Sequence, residues 1–273
     1  YRLLSVLGRG ATSVVYLAEK TGSGKRYAVK VSICDREKLR REAFLLQKFS
    51  YPGIPCAVEL LESGTKSFLV MEAVNGKSIG QRMRKGERFS SREILKTGIA
   101  LSGILCYLHA QNPPVFYRDL KPENIRIRVD GRAGILDLGC LWNREQDWSG
   151  AGNLSFSAPE QFVPGEIPGE ESDVYAVGRL LAVMLGDDTD GTVRQSGGIR
   201  RRNAEKRCGR KEQRQEKWLR KVIAMATCEE RKDRIPEIKM LRTLLMVTDD
   251  SGRERKRACR AADFYYVRKL YCP

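Results

Sequence analysis

The sequence predicts an α+β chain of two unequal lobes, a small β-rich one followed by a larger helical one. Three features carry this. Short runs rich in Val, Leu and Tyr, punctuated by glycine turns, fill the first third and enclose a single helical stretch. Asn75-Gly76 then breaks the pattern as a hinge. Beyond it, most apolar residues recur at helical spacing.

In chain order, Tyr1–Leu7 and Val14–Glu19 read as strands joined by a glycine-rich turn. Thr21-Gly-Ser-Gly24 turns the chain into a third strand, Arg26–Ser32. In Arg36–Phe49, the residues Leu39, Ala43, Leu46 and Phe49 share one helical face and charges take the rest. Val58–Leu61 and Ser67–Met71 are two further strands. Ser90-x-x-Glu93 is a capping box, opening a helix that runs to about His109. Pro113-Pro114 stops it, because proline offers no N–H to continue the helix. Ile125–Val129 and Ala133–Leu136 form a hairpin turned by Asp130-Gly131. Glu171–Leu185, Lys217–Thr227 and Pro236–Met246 read as helices, and no internal repeat is visible.

The 273 residues, 41% hydrophobic and 31% charged, suffice for an ordinary core, which excludes disorder of the whole chain. The net charge of +16 serves solubility or an acidic partner. No specific nucleic-acid partner is expected, because the basic run carries no interleaved aromatics. Eight cysteines are scattered without a CxxC pair, so neither a zinc knuckle nor a disulfide framework is suggested, and a reducing cytoplasm is expected. No apolar run reaches the roughly 18 residues of a membrane span. With no signal peptide and no initiator methionine, the chain reads as a fragment that leaves room for a membrane anchor or sensor outside it.

Chemistry concentrates in a few motifs. Gly8-Arg-Gly-Ala-Thr-Ser13-Val-Val15 joins two strands, either as a phosphate cradle of backbone N–H groups or as a plain tight hairpin. Lys30 of Ala28-Val-Lys30 sits in an otherwise apolar strand and needs a partner; Glu42 on the next helix can supply one, unless it belongs to a solvated face with Arg40 and Arg41. In Tyr117-Arg-Asp-Leu-Lys-Pro-Glu-Asn124, the aspartate, lysine and asparagine can converge on one reacting phosphate. The one histidine, His109, ends a helix and reads as structural.

The order of glycine-rich hairpin, Ala-Val-Lys, helix glutamate, Tyr-Arg-Asp-Leu-Lys-Pro-Glu-Asn, Asp-Leu-Gly and Ala-Pro-Glu resembles the eukaryotic-type protein kinase set. The likeness covers about residues 1–247, and "YLHAQNPPVFYRDLKPENI" especially resembles bacterial Ser/Thr kinases. It implies a bilobal kinase-like fold, with an N-lobe at 1–72, a hinge at 73–76, a C-lobe at 77–247 and a basic extension at 248–273. It also implies ATP as co-substrate, with Mg²⁺ or Mn²⁺, and a protein substrate carrying Ser or Thr, as Lys121 suggests.

Each role is carried over by this resemblance. Asp119 would take the proton of the substrate hydroxyl, and Lys121 would steady the transferred phosphoryl group. Asn124 and Asp137 would hold the metal, while Lys30, fixed by Glu42, would hold the α- and β-phosphates. Leu7, Gly8, Gly10, Ser13, Val15, Ala28, Met71, Glu72 and Val74 would surround the nucleotide, with Met71 as gatekeeper. Asp173 would brace the catalytic loop, Glu160 would pair with Arg234, and Leu46, Tyr117 and Leu138 would stack between the lobes.

Several positions depart from the pattern: Ser13 for the third glycine, Tyr117 for histidine, Leu138 for phenylalanine and Asn153 for threonine. Two readings therefore compete, an active kinase and a nucleotide-binding pseudokinase acting as a regulator or scaffold. Ser149 is the expected self-phosphorylation site, with Arg118 gripping the phosphate, unless Glu145 or Asp147 already supplies the anion and no phosphate is needed. The run Arg194–Lys221 has twelve Lys or Arg against three Glu. It reads as a solvated loop or as a docking surface for an acidic substrate or an anionic membrane face.

Overall fold

A computed structural model describes residues 1–10, 13–32, 35–128, 131–139, 141, 153–187 and 210–249. Five strands, β1 (Arg2–Arg9), β2 (Ser13–Glu19), β3 (Arg26–Ser32), β4 (Ala57–Ser63) and β5 (Lys66–Glu72), form one antiparallel sheet in the order β1-β2-β3-β5-β4. The Val- and Ala-rich β3 lies at its centre, with all but its first residue buried. The edge strand β1 is largely exposed and runs through Gly8, with register irregularities at Leu3/Ser5 and Val6/Gly8. Such irregularities twist an edge away from further pairing.

The one long helix of this lobe, α1 (Arg36–Lys48), starts where the Asp35 carboxylate accepts from Lys38 N at 2.9 Å. Leu39, Ala43 and Leu46 bury its apolar face as the spacing predicts, and Glu42 is buried with them.

The chain then forms β6 (Lys77–Ser78) and α2 (Ile79–Arg84), which the sequence reading did not foresee. A two-residue strand and a six-residue helix are too short to show a period, although Ser78 and Gln81 form a capping box that could have signalled α2. Helix α3 (Ser91–His109) is the buried axis of the large lobe. Its capping box is present in both directions, with Glu93 N donating to Ser90 Oγ at 3.3 Å and Ser90 N donating to Glu93 Oε2 at 3.0 Å.

β7 (Ile125–Ile127) and β8 (Ala133–Ile135) form the expected hairpin, shorter than expected, and pair with β6 in a small antiparallel sheet. α4 (Glu170–Leu185) ends on Gly186 at φ 88°, a left-handed conformation that favours glycine. α5 (Arg210–Ala226) begins seven residues before the expected Lys217, because its Arg, Lys, Glu and Gln residues favour helix without showing an apolar period. The loop reading of the basic run therefore fails for 210–221, where Trp218 and Leu219 are buried in the core. α6 (Ile238–Asp249) closes the described chain. One apolar cluster spans both lobes and contains Leu46, Tyr117 and Leu138 together.

Candidate active site

Lys30 stands on β3 and Glu42 on α1, twelve residues apart in sequence. Burial of the α1 face turns Glu42 inward, and the Lys30 ammonium meets its carboxylate at 2.6 Å. The solvated-face reading of Glu42 is thereby replaced by a buried pair, its side chain only 1% exposed. Lys30 Nζ also meets Asp137 Oδ1 at 2.9 Å, although 107 residues separate them. Burial pulls the Lys30 pKa down, but the Glu42 and Asp137 carboxylates outweigh it and hold the ammonium above its ordinary range. Burial pushes the Asp137 carboxyl up; Lys30 and the backbone N–H of Gly139, at 2.9 Å, overcome that and hold it below the usual carboxylate range.

The loop that carries Asp119 is held under strain. Arg118 has φ 64°, the left-handed region that a side chain disfavours by about 1–2 kcal/mol. The surroundings fix it: Asp173 of α4 accepts from Tyr117 N at 2.9 Å and from Arg118 N at 3.0 Å. The Arg118 carbonyl accepts from Ser157 Oγ at 3.4 Å and Gln161 Nε2 at 3.5 Å. Asp173 is itself held by His109 Nε2 at 2.8 Å, and Glu170 lies 3.3 Å from His109 Nδ1. Burial works against a charged imidazole there, but the hydrogen bond to Asp173 and the neighbouring Glu170 carboxylate lift its pKa to about 9. The structural reading of His109 matches this placement. Tyr117 donates its hydroxyl to the Asp137 carbonyl at 2.6 Å, which ties the two loops together.

Past the strained residue, Asp119 Oδ2 lies 2.5 Å from Lys121 Nζ and accepts from Asn124 Nδ2 at 3.2 Å. The Asn124 amide nitrogen also donates to the Asp119 carbonyl at 3.1 Å. Its Oδ1 therefore keeps the acceptor role, and Asp137 keeps one carboxylate oxygen beyond the one Lys30 uses. One carboxylate and one amide oxygen make a hard, oxygen-only donor pair. Such a pair fits Mg²⁺, which takes few protein ligands and completes its shell with phosphate and water. Among the described residues no group of three His, Cys, Asp or Glu is placed to hold a metal alone.

On the opposite wall, Val15 pairs with Lys30 across β2 and β3, and Ala28 pairs with Met71 across β3 and β5. Leu7 packs against the same apolar cluster. A side-chain carbon added at Gly8 would meet nothing within 4 Å, and at Gly10 only Ser13. This open space suits a close approach to the Gly10 N→Ser13 O turn, 2.8 Å across. Ala11 and Thr12 lie outside the described residues, as does Ser149.

The hinge carries contacts that sequence reasoning missed. Arg126 Nη1 donates to the Val74 carbonyl at 2.8 Å, and Arg128 lies 3.5 Å from Glu72. The signal was present, since both arginines alternate with the apolar Ile125 and Ile127 of one short strand. Asn153, which stands in place of the family's threonine, accepts from Ser155 N at 3.0 Å through its amide oxygen and caps its own turn. Glu160 pairs with Arg234 at 2.6 and 3.0 Å, as expected.

The sequence profile of the protein kinase domain matches residues 1–246. The chain belongs to the protein kinase family. This kinase chain is 31% identical over 193 residues to sperm motility kinase 3A of Mus musculus, which covers 68% of the chain and 38% of that protein. It is likewise 31% identical over 193 residues to calcium/calmodulin-dependent protein kinase type IV of Homo sapiens, covering 68% of the chain and 40% of that protein. The chain thus spans about two fifths of the length of these curated relatives. They are mammalian, and the expected bacterial likeness is not what they show. No helix among the described residues is long and apolar enough to cross a membrane.

Proposed function

We propose that the chain is an ATP-dependent serine/threonine protein kinase. The observation that supports it most is the convergence of six polar side chains from separate stretches: Lys30 with Glu42 and Asp137, and Asp119 with Lys121 and Asn124. In this reading Glu42 aims Lys30 at the α- and β-phosphates. Asp119 accepts the proton of the substrate hydroxyl, and Lys121 neutralises charge on the phosphoryl group in flight. Asn124 and Asp137 hold Mg²⁺ through oxygen, and the ion's charge supplies the remaining neutralisation. Leu7, Gly8, Gly10, Ser13, Val15, Ala28, Met71, Glu72 and Val74 enclose the nucleotide. Positioning and fixed charge thus carry the catalysis, with little covalent chemistry asked of the protein.

The catalytic domain in this reading is residues 1–247, with 248–273 as a basic extension. Ser149 is the self-phosphorylation site, and a reducing cytoplasm suits the described cysteines 56, 106 and 228, which are free thiols. The basic run 194–221 docks an acidic protein substrate. A second reading, a nucleotide-binding pseudokinase that regulates or scaffolds, draws on Asn153, whose side chain is spent on its own turn.

Transfer of radiolabelled phosphate from ATP to a protein acceptor, for wild type and Asp119→Asn, separates the two. Transfer by wild type and none by the variant is the expected result. Nucleotide binding without transfer in wild type would establish the pseudokinase.

A further inference from the structure

Arg126 touches the hinge from β7, and the proposed kinase mechanism leaves its chemistry unused. It lies at the centre of β7, between Ile125, which is fully buried, and Ile127, which packs against the apolar cluster. Successive strand residues point to opposite faces, so Arg126 projects away from that core. Its backbone pairs with Ser78 just past the hinge, and its Nη1 reaches the Val74 carbonyl at 2.8 Å.

The guanidinium is poorly compensated there. Its Nε is buried with no hydrogen-bond partner among the described residues, and no carboxylate pairs with it among them. Burial alone shifts its pKa, downward. Arg128, two residues on and on the same face, differs: it reaches the Glu72 carboxylate at 3.5 Å. A guanidinium taken from water against one neutral carbonyl is costly to keep. Such a group is retained where something else completes it. A planar, weakly hydrated cation is best completed by a flat π system lying on its face. Among the described residues no aromatic ring stacks on Arg126; the cation–ring contacts involve Lys20, Lys25, Lys48, Arg82 and Arg234.

We propose that Arg126 forms the cationic floor of the base pocket and stacks beneath the purine of the bound nucleotide, while its Nη1 stays anchored to the Val74 carbonyl. This deepens the nucleotide reading of the same site and rests on it. The roof is then apolar, from Leu7, Val15 and Ala28, and the floor is a delocalised cation. Base recognition on this chain would depend on a charged plane as well as on aliphatic packing. Phosphate recognition, which belongs to Lys30 and the metal ligands, would not.

The test separates base from phosphate. Binding of adenosine and of Mg²⁺-tripolyphosphate is measured by calorimetry for wild type, Arg126→Leu and Arg126→Met. Loss of a desolvated cation–π stack should weaken adenosine by about five- to thirtyfold. Tripolyphosphate should stay within about twofold. Equal weakening of both probes would make Arg126 a hinge tie and overturn the proposal, as would unchanged or tighter adenosine binding.

A measurement on the wild type covers the case in which both variants unfold. The Arg126 Nε–H resonance should move upfield by ring current when adenosine is added, and a resonance that stays in place overturns the stack. Wild type that transfers phosphate from ATP while Arg126→Leu binds adenosine normally sinks this inference alone. Wild type that binds neither probe sinks the nucleotide reading with it.

Discussion

Asp119 and Lys30 sit in different surroundings, so neutralising each should have different consequences. Asp119→Asn keeps shape and can still bond Asn124 and Lys121, and the Lys121 side chain is 28% exposed, so its ammonium keeps access to water. It should abolish phosphoryl transfer and leave the melting temperature nearly unchanged. Lys30→Met should also abolish transfer, but it strands Glu42, whose side chain is 1% exposed. A buried carboxylate without its partner costs about 3–5 kcal/mol, softened if it takes up a proton. A lower melting temperature for Lys30→Met than for Asp119→Asn is therefore expected, and equal melting would deny that the pair is buried in solution. His109 adds a pH signature. Its folded pKa of about 9 lies above the ordinary value of about 6.5 for an unfolded chain. The stability it lends through Asp173 and Glu170 is thus full below that ordinary value and lost as pH rises through about 9. The expected contribution is on the order of 3 kcal/mol near pH 6. The stability gap between wild type and His109→Gln, from urea melts, should narrow between pH 6 and pH 9.5; a gap independent of pH would refute a charged His109. The catalytic residues were legible in sequence because their types and spacing are dictated by chemistry. The strain at Arg118 was not, since the bonds that enforce it come from Asp173, Ser157 and Gln161, all distant in the chain.

Among the elements, those with a long period and a local stop signal were the readable ones. α3 was legible to the residue at its start, because Ser90 and Glu93 satisfy donors within their own turn. Ser90→Ala should cost about 1 kcal/mol of stability, read as a shift in the denaturation midpoint, with transfer per folded molecule unchanged. β6 was missed because its existence depends on pairing with β7, and α2 because six residues are too few to show a period. Gly76 marks that pairing. It adopts φ 108°, and a side-chain carbon there would run into the Ile127 carbonyl. Glycine is needed for both reasons, conformation and close approach. Gly76→Ala should push the hinge off β7, disturb the Arg126–Val74 bond and weaken adenosine binding. A variant that melts and binds as wild type would show that hinge and strand separate freely. The start of α5 was illegible for the opposite reason: residues 210–216 are good helix formers with no apolar run to announce them, and the helix first reaches the core at Trp218 and Leu219.

For the whole molecule, the unbalanced quantity is charge. The net of +16 includes +9 from Arg194–Lys221. The helical part of that run is not all available for docking, since Arg220 is committed to Asp187 at 2.6 Å and Glu216 at 2.9 Å. The triplet Arg200–Arg202 precedes the packed helix in sequence and lies outside the described residues, so its replacement removes charge and leaves the sequence of that helix unchanged. If the run docks an acidic protein, Arg200→Ala, Arg201→Ala and Arg202→Ala together should raise the KM for an acidic substrate and leave kcat and self-phosphorylation alone. The attraction acts between solvated groups, so salt should erase it as the Debye length falls from about 10 Å at 0.1 M to about 3 Å at 1 M. Wild type and variant should therefore differ at low salt and converge at high salt on the acidic substrate, and should never differ on a neutral peptide. A KM for the acidic substrate that is the same in both proteins at low salt would reduce the run to a solvating segment. A difference that persists at 1 M salt would instead point to direct contacts that do not depend on the long-range field.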